Sequence, residues 1–156
     1  MGEEIERKFL VTGDAWRAQA SGTRFRQGFL STDPDRTVRV RVAGARGMLT
    51  IKGRTVGARR PEYEYEIPLD DAEQMLDSLC ERPLIEKVRF ELRAGAHLWE
   101  IDVFEGDNAG LDVPETELQS EDETFERPDW LGEEVTDDPR YFNANLVESP
   151  FRTWPR

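Results

Sequence analysis

Cysteine and histidine are nearly missing from this chain, which holds one Cys (Cys80) and one His (His97) in 156 residues. One Cys excludes an intramolecular disulfide and a Cys-rich zinc site, and it fits a reducing compartment. One His leaves Ser-His triads and His-based metal centres without material. His97 reads as a surface residue at a strand start, and Cys80 as packing at a helix end. No stretch nears the roughly 18 apolar residues of a membrane span. The opening MGEEIERKFLV is acidic and has no apolar signal core. A cytoplasmic location without a membrane partner is therefore expected. Gly2 is followed by EEIER rather than a myristoylation pattern, so no lipid anchor is read. A P-loop is missing too, which removes the commonest route to nucleoside triphosphates.

Lysine is also scarce. Of 21 basic residues only Lys8, Lys52 and Lys87 are Lys, the rest being Arg. A lysine kept against such a bias marks a place where a compact ammonium serves and a planar guanidinium does not. The net charge of −12 argues against nucleic acid held on a broad basic surface, while leaving room for a narrow basic site. Length and composition, with 37% hydrophobic residues and four Trp, predict one folded unit spanning 1–156.

Eight segments have strand patterning: EIERKFLV, RFRQGFLS, TVRVRVAG, MLTIKG, PEYEYEIPL, LIEKVRFEL, HLWEIDVFEG and a strand through Glu115–Leu118 that begins at or after Pro114. Short turn-rich joins such as Asp33-Pro34-Asp35 imply antiparallel neighbours. Thr12 to Ala20 reads as a short helix. Asp70 to Leu79 reads as a better one, with Asp70 as N-cap, Glu73 completing a capping box, and Met75, Leu76 and Leu79 as its buried stripe. Ser120-Glu121-Asp122-Glu123 predicts a capped helix ended by Pro128, and Asp138-Pro139 a second helix start. The predicted class is α+β.

Each strand carries one charged face, because strand side chains alternate with period two. Glu4, Glu6 and Lys8 share a face; so do Arg39 and Arg41, Glu62, Glu64 and Glu66, Lys87 and Arg89, Glu100 and Asp102, and Glu115 and Glu117. For one strand alone, the ordinary reading is a sheet with its charged face in water. Eight tightly joined strands can close into a barrel, and the charges then point out or in. If out, the interior is apolar and the helices have little to cover. If in, carboxylates and cations line a lumen, which is costly unless they pair or bind ions. The use that fits is a polyanion held with a hard divalent metal. Tyr63 and Tyr65 read as exterior packing, the acidic runs at 121–123 and 133–134 as solvated surface, and Glu62 as equally a strand-end residue or a metal contact.

Glu4-x-Glu6-x-Lys8 resembles the signature of the CYTH superfamily, the triphosphate tunnel metalloenzymes. Arg39-x-Arg41, Lys52 in LTIKG, Glu64-Tyr65-Glu66, Glu86-Lys87-x-Arg89, Glu100-x-Asp102 and Glu115-x-Glu117 follow in that family's order. The closing stretch around Trp130–Val135 and Arg140-Tyr141 is similar to its small bacterial inorganic triphosphatases. The resemblance implies an eight-stranded antiparallel closed β-barrel, or tunnel, with a charged lumen and helices outside and at the C-terminus. It further implies Mg²⁺ or Mn²⁺ and hydrolysis of a triphosphate, first of all tripolyphosphate. Carried over by position, Lys8, Arg39, Arg41, Lys52, Lys87 and Arg89 would bind phosphates. Glu4, Glu6, Glu64, Asp102, Glu115 and Glu117 would hold metal, and Lys8, Glu4, Glu6, Arg41 and Lys87 would be catalytic. A class IV-type adenylate cyclase, a thiamine or nucleoside triphosphatase, and a non-catalytic polyphosphate binder are the alternatives; a homodimer stays open. One departure from the family pattern is Pro114, just before the last carboxylate pair.

Overall fold

The structure is a computed structural model that describes residues 2–155. Its strands are β1 (Glu3–Val11), β2 (Ser21–Ser31), β3 (Thr37–Ala43), β4 (Arg46–Lys52), β5 (Arg59–Ile67), β6 (Ile85–Ala94), β7 (His97–Phe104), β8 (Asp112–Glu117) and β9 (Leu131–Glu134). Helix α1 (Leu69–Ser78) lies between β5 and β6, and α2 (Asn145–Glu148) near the end of the chain. The first eight strands run β5-β4-β3-β2-β6-β7-β8-β1, and a β1–β5 pairing closes the ring. Every pairing is antiparallel. The closing seam is short: Glu3 faces Pro61, Glu4 faces Arg60 and Ile5 faces Arg59. Further along β1, Glu6 to Lys8 pair with β8, and Phe9 and Val11 pair with β9.

Local chemistry sets the joins. Asp33 accepts from the Asp35 amide at 2.9 Å, an Asx turn that reverses the chain between β2 and β3. Gly44 and Gly95 sit at φ +60° and +64° in the β3–β4 and β6–β7 hairpins, where a Cβ would be strained.

Two apolar layers cover the barrel's outside and a third closes one end. Ala72 and Leu76 of α1 pack with Val40 and Cys80. Across the barrel, Trp99 meets Phe9, Phe125 and Trp130 edge-on at 5.7, 5.8 and 5.6 Å between ring centroids. At one end the inward faces turn apolar: Phe29, Ile85, Phe104 and Val113 cluster with Tyr141, Leu146 and Val147 of the C-terminal segment. That segment is therefore a plug as well as a tail.

Four expectations need correction. Asp70 is not the N-cap; Pro68 holds that position, and Asp70 lies in the first turn without a side-chain cap bond, where its charge still suits the helix dipole. Ala72 and Leu76 form the buried stripe, and Leu79, just past the helix, is 66% exposed. No helix forms over 120–127. Glu123 instead accepts from the Gln119 amide and meets His97 Nε2, each at 2.5 Å, and Phe125 and Trp130 are drawn onto Trp99, so tertiary packing overrides the local cap signal. Finally, β8 starts at Asp112, with Pro114 inside it. Strand amides alternate edges, and the Leu118 amide donates to Ile5 O of β1. Pro114, four residues earlier, faces the same edge beyond the last β1–β8 pair, Lys8 with Glu115, so its missing N–H interrupts no ladder bond. Asp138 does cap a 3₁₀ turn over Pro139–Tyr141, accepting from the Arg140 amide, and the short helix expected within Thr12 to Ala20 is a 3₁₀ helix over Ala15–Gln19.

Candidate active site

The charged faces point inward. They line a cavity of about 240 Å³ bordered by seven cations, Lys8, Arg39, Arg41, Lys52, Arg60, Lys87 and Arg89, and seven carboxylates, Glu4, Glu6, Glu62, Glu64, Glu100, Glu115 and Glu117. Buried charges on this scale persist only when partners neutralise them, and the pairings are specific. Lys8 Nζ lies between Glu115 Oε2 at 2.8 Å and Glu6 Oε1 at 3.1 Å. Lys52 Nζ meets Glu4 Oε1 at 2.7 Å and Glu62 Oε2 at 3.6 Å. Arg39 Nη2 donates to Thr50 Oγ1 at 3.1 Å and Glu64 Oε2 at 3.4 Å, and the Thr50 hydroxyl donates to the same Glu64 oxygen at 2.8 Å.

Asp102 stands apart from the other predicted metal-binding residues. It is fully buried and does not border the cavity. Arg89 grips it with Nε at 2.8 Å and Nη2 at 2.9 Å, and Lys87 Nζ donates to it at 2.7 Å. The other predicted site residues all line the lumen, although among the described residues no three acidic side chains form a ready-made metal cage.

Several pKa values are displaced. Burial pushes Glu62 up to about 7, with the Glu4 carboxylate adding to the shift. Burial likewise raises Glu100 and Glu117, the latter with help from Glu4. At Glu4 and Glu6 burial acts upward too, but Lys52 and Lys8 outweigh it and hold both below the ordinary range. Lys8 is raised, because Glu115 and Glu6 overcome the burial that disfavours its charge. Burial brings Lys87 down to about 7 against the pull of Asp102, and Arg89 and Arg41 repel it further. Burial also drives Arg41 well below its usual value, with Arg39 and Arg89 pushing the same way. Arg39 Nε is buried with no protein partner, leaving a donor in the cavity wall.

Sequence reasoning missed the amides and hydroxyls among these groups. Gln27 Oε1 accepts from Arg41 Nε at 3.0 Å, and Asn143 Oδ1 accepts from Lys87 Nζ at 2.9 Å and from Gln27 Nε2 at 2.6 Å. Gln27 was detectable, being polar on the face that Phe25 and Phe29 share. Asn143 lies in an aperiodic segment and gave no signal. Arg60 donates to Thr37 Oγ1 at 2.9 Å and borders both the lumen and an adjoining chamber of about 340 Å³ that Phe142 also lines.

Comparison with known proteins agrees with this architecture. A family model described as the CYTH domain matches residues 2–148. The chain is similar to an inorganic triphosphatase of Acetivibrio thermocellus, 49% identical over 154 residues and covering 99% of each chain. It is also similar to one from Nitrosomonas europaea, 39% identical over 150 residues, covering 94% of this chain and 97% of that one. The solved structure of an inorganic triphosphatase matches with a TM-score of 0.64 at 34% identity, covering 98% of this chain and 97% of that one. A Pyrococcus horikoshii protein shares the fold at 17% identity with a TM-score of 0.59, covering 75% of this chain and 79% of that one.

Proposed function

The chain belongs to the CYTH family, and on that premise we propose that residues 1–156 form one triphosphate tunnel domain that hydrolyses inorganic tripolyphosphate to pyrophosphate and phosphate. The observation that carries this reading is the matched set of cations and carboxylates facing one cavity. A metal–triphosphate complex offers what such a wall can exchange for. The cations would bind the phosphate oxygens, and the carboxylates they now neutralise would be free to hold the metal.

Lys8, Lys52, Arg39, Arg41, Lys87 and Arg89 would neutralise the phosphates, Arg39 with its unpartnered N–H and the lysines as point charges. Glu4, Glu6, Glu64, Glu115 and Glu117 would hold Mg²⁺ or Mn²⁺. Their oxygen donors suit a hard cation, and Glu117, raised first by burial and then by the Glu4 charge, is a carboxylate whose ionised form such an ion would stabilise. When bound, the ion would neutralise charge on the phosphoryl oxygens. Asp102 would serve instead by holding Lys87 and Arg89. Water attacks a terminal phosphorus, the bond from that phosphorus to its bridging oxygen breaks, and pyrophosphate leaves. The proton the water gives up passes to the pyrophosphate oxygen freed by the cleavage, and Lys87, at about 7, can relay it near neutrality. No covalent nucleophile is needed. The enzyme would act in the cytoplasm on a small molecule, independently of nucleic acid.

The test is phosphate release from tripolyphosphate, ATP and pyrophosphate with Mg²⁺, Mn²⁺ or EDTA, with ATP reactions assayed for cyclic AMP. Metal-dependent release favouring tripolyphosphate is expected. Cyclic AMP would assign a cyclase, and absent turnover with ligand-induced stabilisation a binding module.

A further inference from the structure

We infer that Asn143, from the segment that plugs the barrel, is a positioning residue that fixes the direction of the Lys87 amine, so that the site is incomplete without the C-terminal segment. The inference rests on the triphosphatase reading for its kinetic part only.

The argument is one of donors and acceptors. Arg41 can only donate, so the oxygen of Gln27 must face it, at 3.0 Å from Arg41 Nε. That turns Gln27 Nε2 toward Asn143, whose Oδ1 accepts at 2.6 Å. The same Oδ1 accepts from Lys87 Nζ at 2.9 Å. Donors at both ends thus fix the orientation of both amides. Lys87 Nζ has three positions for hydrogen, of which Asp102 takes one at 2.7 Å and Asn143 another. With two of the tetrahedral directions held, the remaining one is set. Lys87 and Gln27 are 1% and 0% exposed, so no water shell substitutes for either contact. An apolar side chain at 143 would leave Asp102 as the one remaining contact directing the amine, and misplacement of a reacting group by a fraction of an ångström is felt in the rate.

The experiment compares N143L, an apolar residue of similar shape, with N143D, which keeps the acceptor oxygen and puts a second one in place of the amide N–H₂. Steady-state hydrolysis of tripolyphosphate with Mg²⁺ is measured for each. Expected for N143L is a kcat lower by roughly 10- to 100-fold with KM within about 2-fold; N143D recovers a substantial part of the wild-type kcat. In parallel, ¹³C-lysine-labelled protein is studied by NMR without substrate. The three lysines give three Cε environments, and only Lys87 should become more mobile in N143L. A packing role would predict the reverse order, with Leu tolerated and Asp harmful. The inference is overturned by an unchanged kcat in N143L, by a rise in KM alone, by equal losses in N143L and N143D, or by an unaltered Lys87 signal. If N143L does not fold, Q27M removes the amide that turns Asn143, and the same Lys87 signal decides. Absence of turnover in the wild type would sink the triphosphatase reading and leave the NMR comparison to judge Asn143.

Discussion

Replacing Asp102 with Asn separates two roles for a carboxylate expected to bind metal. Asp102 is fully buried and receives three charge-assisted hydrogen bonds, from Lys87 at 2.7 Å and from Arg89 at 2.8 and 2.9 Å. Asn keeps the shape and removes the charge, leaving buried Arg89 and Lys87 without their shared counter-ion and an amide N–H₂ among donors. Removing one partner of a buried pair costs about 3–5 kcal/mol. In a chain of 156 residues, each kcal/mol lowers Tm by about 2–4 °C. D102N should therefore melt roughly 10 °C below wild type in EDTA, followed by circular dichroism. The gap should narrow with rising pH. Lys87 sits at about 7, below its ordinary 10.5, so its contribution to stability rises with pH across that window, and loss of Asp102 opens the window lower still. Added tripolyphosphate should raise the Tm of D102N more than that of wild type, because an anion restores part of the lost charge. If D102N and wild type melt within about 3 °C of each other without metal, Asp102 is not the counter-ion described here and its service as a metal ligand regains ground.

Lys8→Arg should lower kcat by at least about 10-fold despite keeping the charge, since Lys8 places a compact ammonium between Glu6 and Glu115 and a planar guanidinium on a longer stem puts its charge elsewhere; an unaltered rate would remove Lys8 from that role. Glu62, raised to about 7 from 4.5, favours folding below pH 4.5, and that stability is lost as pH rises through 7. At pH 7 it holds about half a proton, so Mg²⁺ binding should release up to about 0.5 H⁺. Calorimetry in two buffers of different ionisation enthalpy reads this directly, and identical enthalpies would refute it. Leu76→Ala empties a fully buried site under α1 and should cost about 2–5 kcal/mol while kcat stays at the wild-type level; a parallel loss of kcat would show that the barrel wall transmits the cavity to the lumen.

The barrel was legible because its strands alternate cleanly: VRVRV and EYEYEI each commit one face to charge, and closure makes that face the lumen. What alternation could not convey is which charges meet across the ring. Lys52 finds Glu4, on a strand 48 residues away in sequence, and Lys87 finds an amide 56 residues away. Such partners depend on barrel stagger, which no local pattern encodes. Asp102 looked like Glu115 in sequence, and only depth distinguishes them. The stretch from Ser120 failed for the opposite reason. Its local helix signal was real, but two aromatics within reach of Trp99 made an extended path more favourable.

The first strand has a further consequence, for folding. Its partners come from far along the chain: Glu3 meets residue 61, Glu6 residue 117 and Phe9 residue 134. Contacts at such separations carry a large loop-closure cost and form slowly. The ring therefore shuts only once β1 has met both β8 and β5, and the strand that shuts it carries Glu4, Glu6 and Lys8. In a refolding experiment, recovery of turnover should lag behind recovery of sheet signal, making catalysis a clock for the last step of assembly.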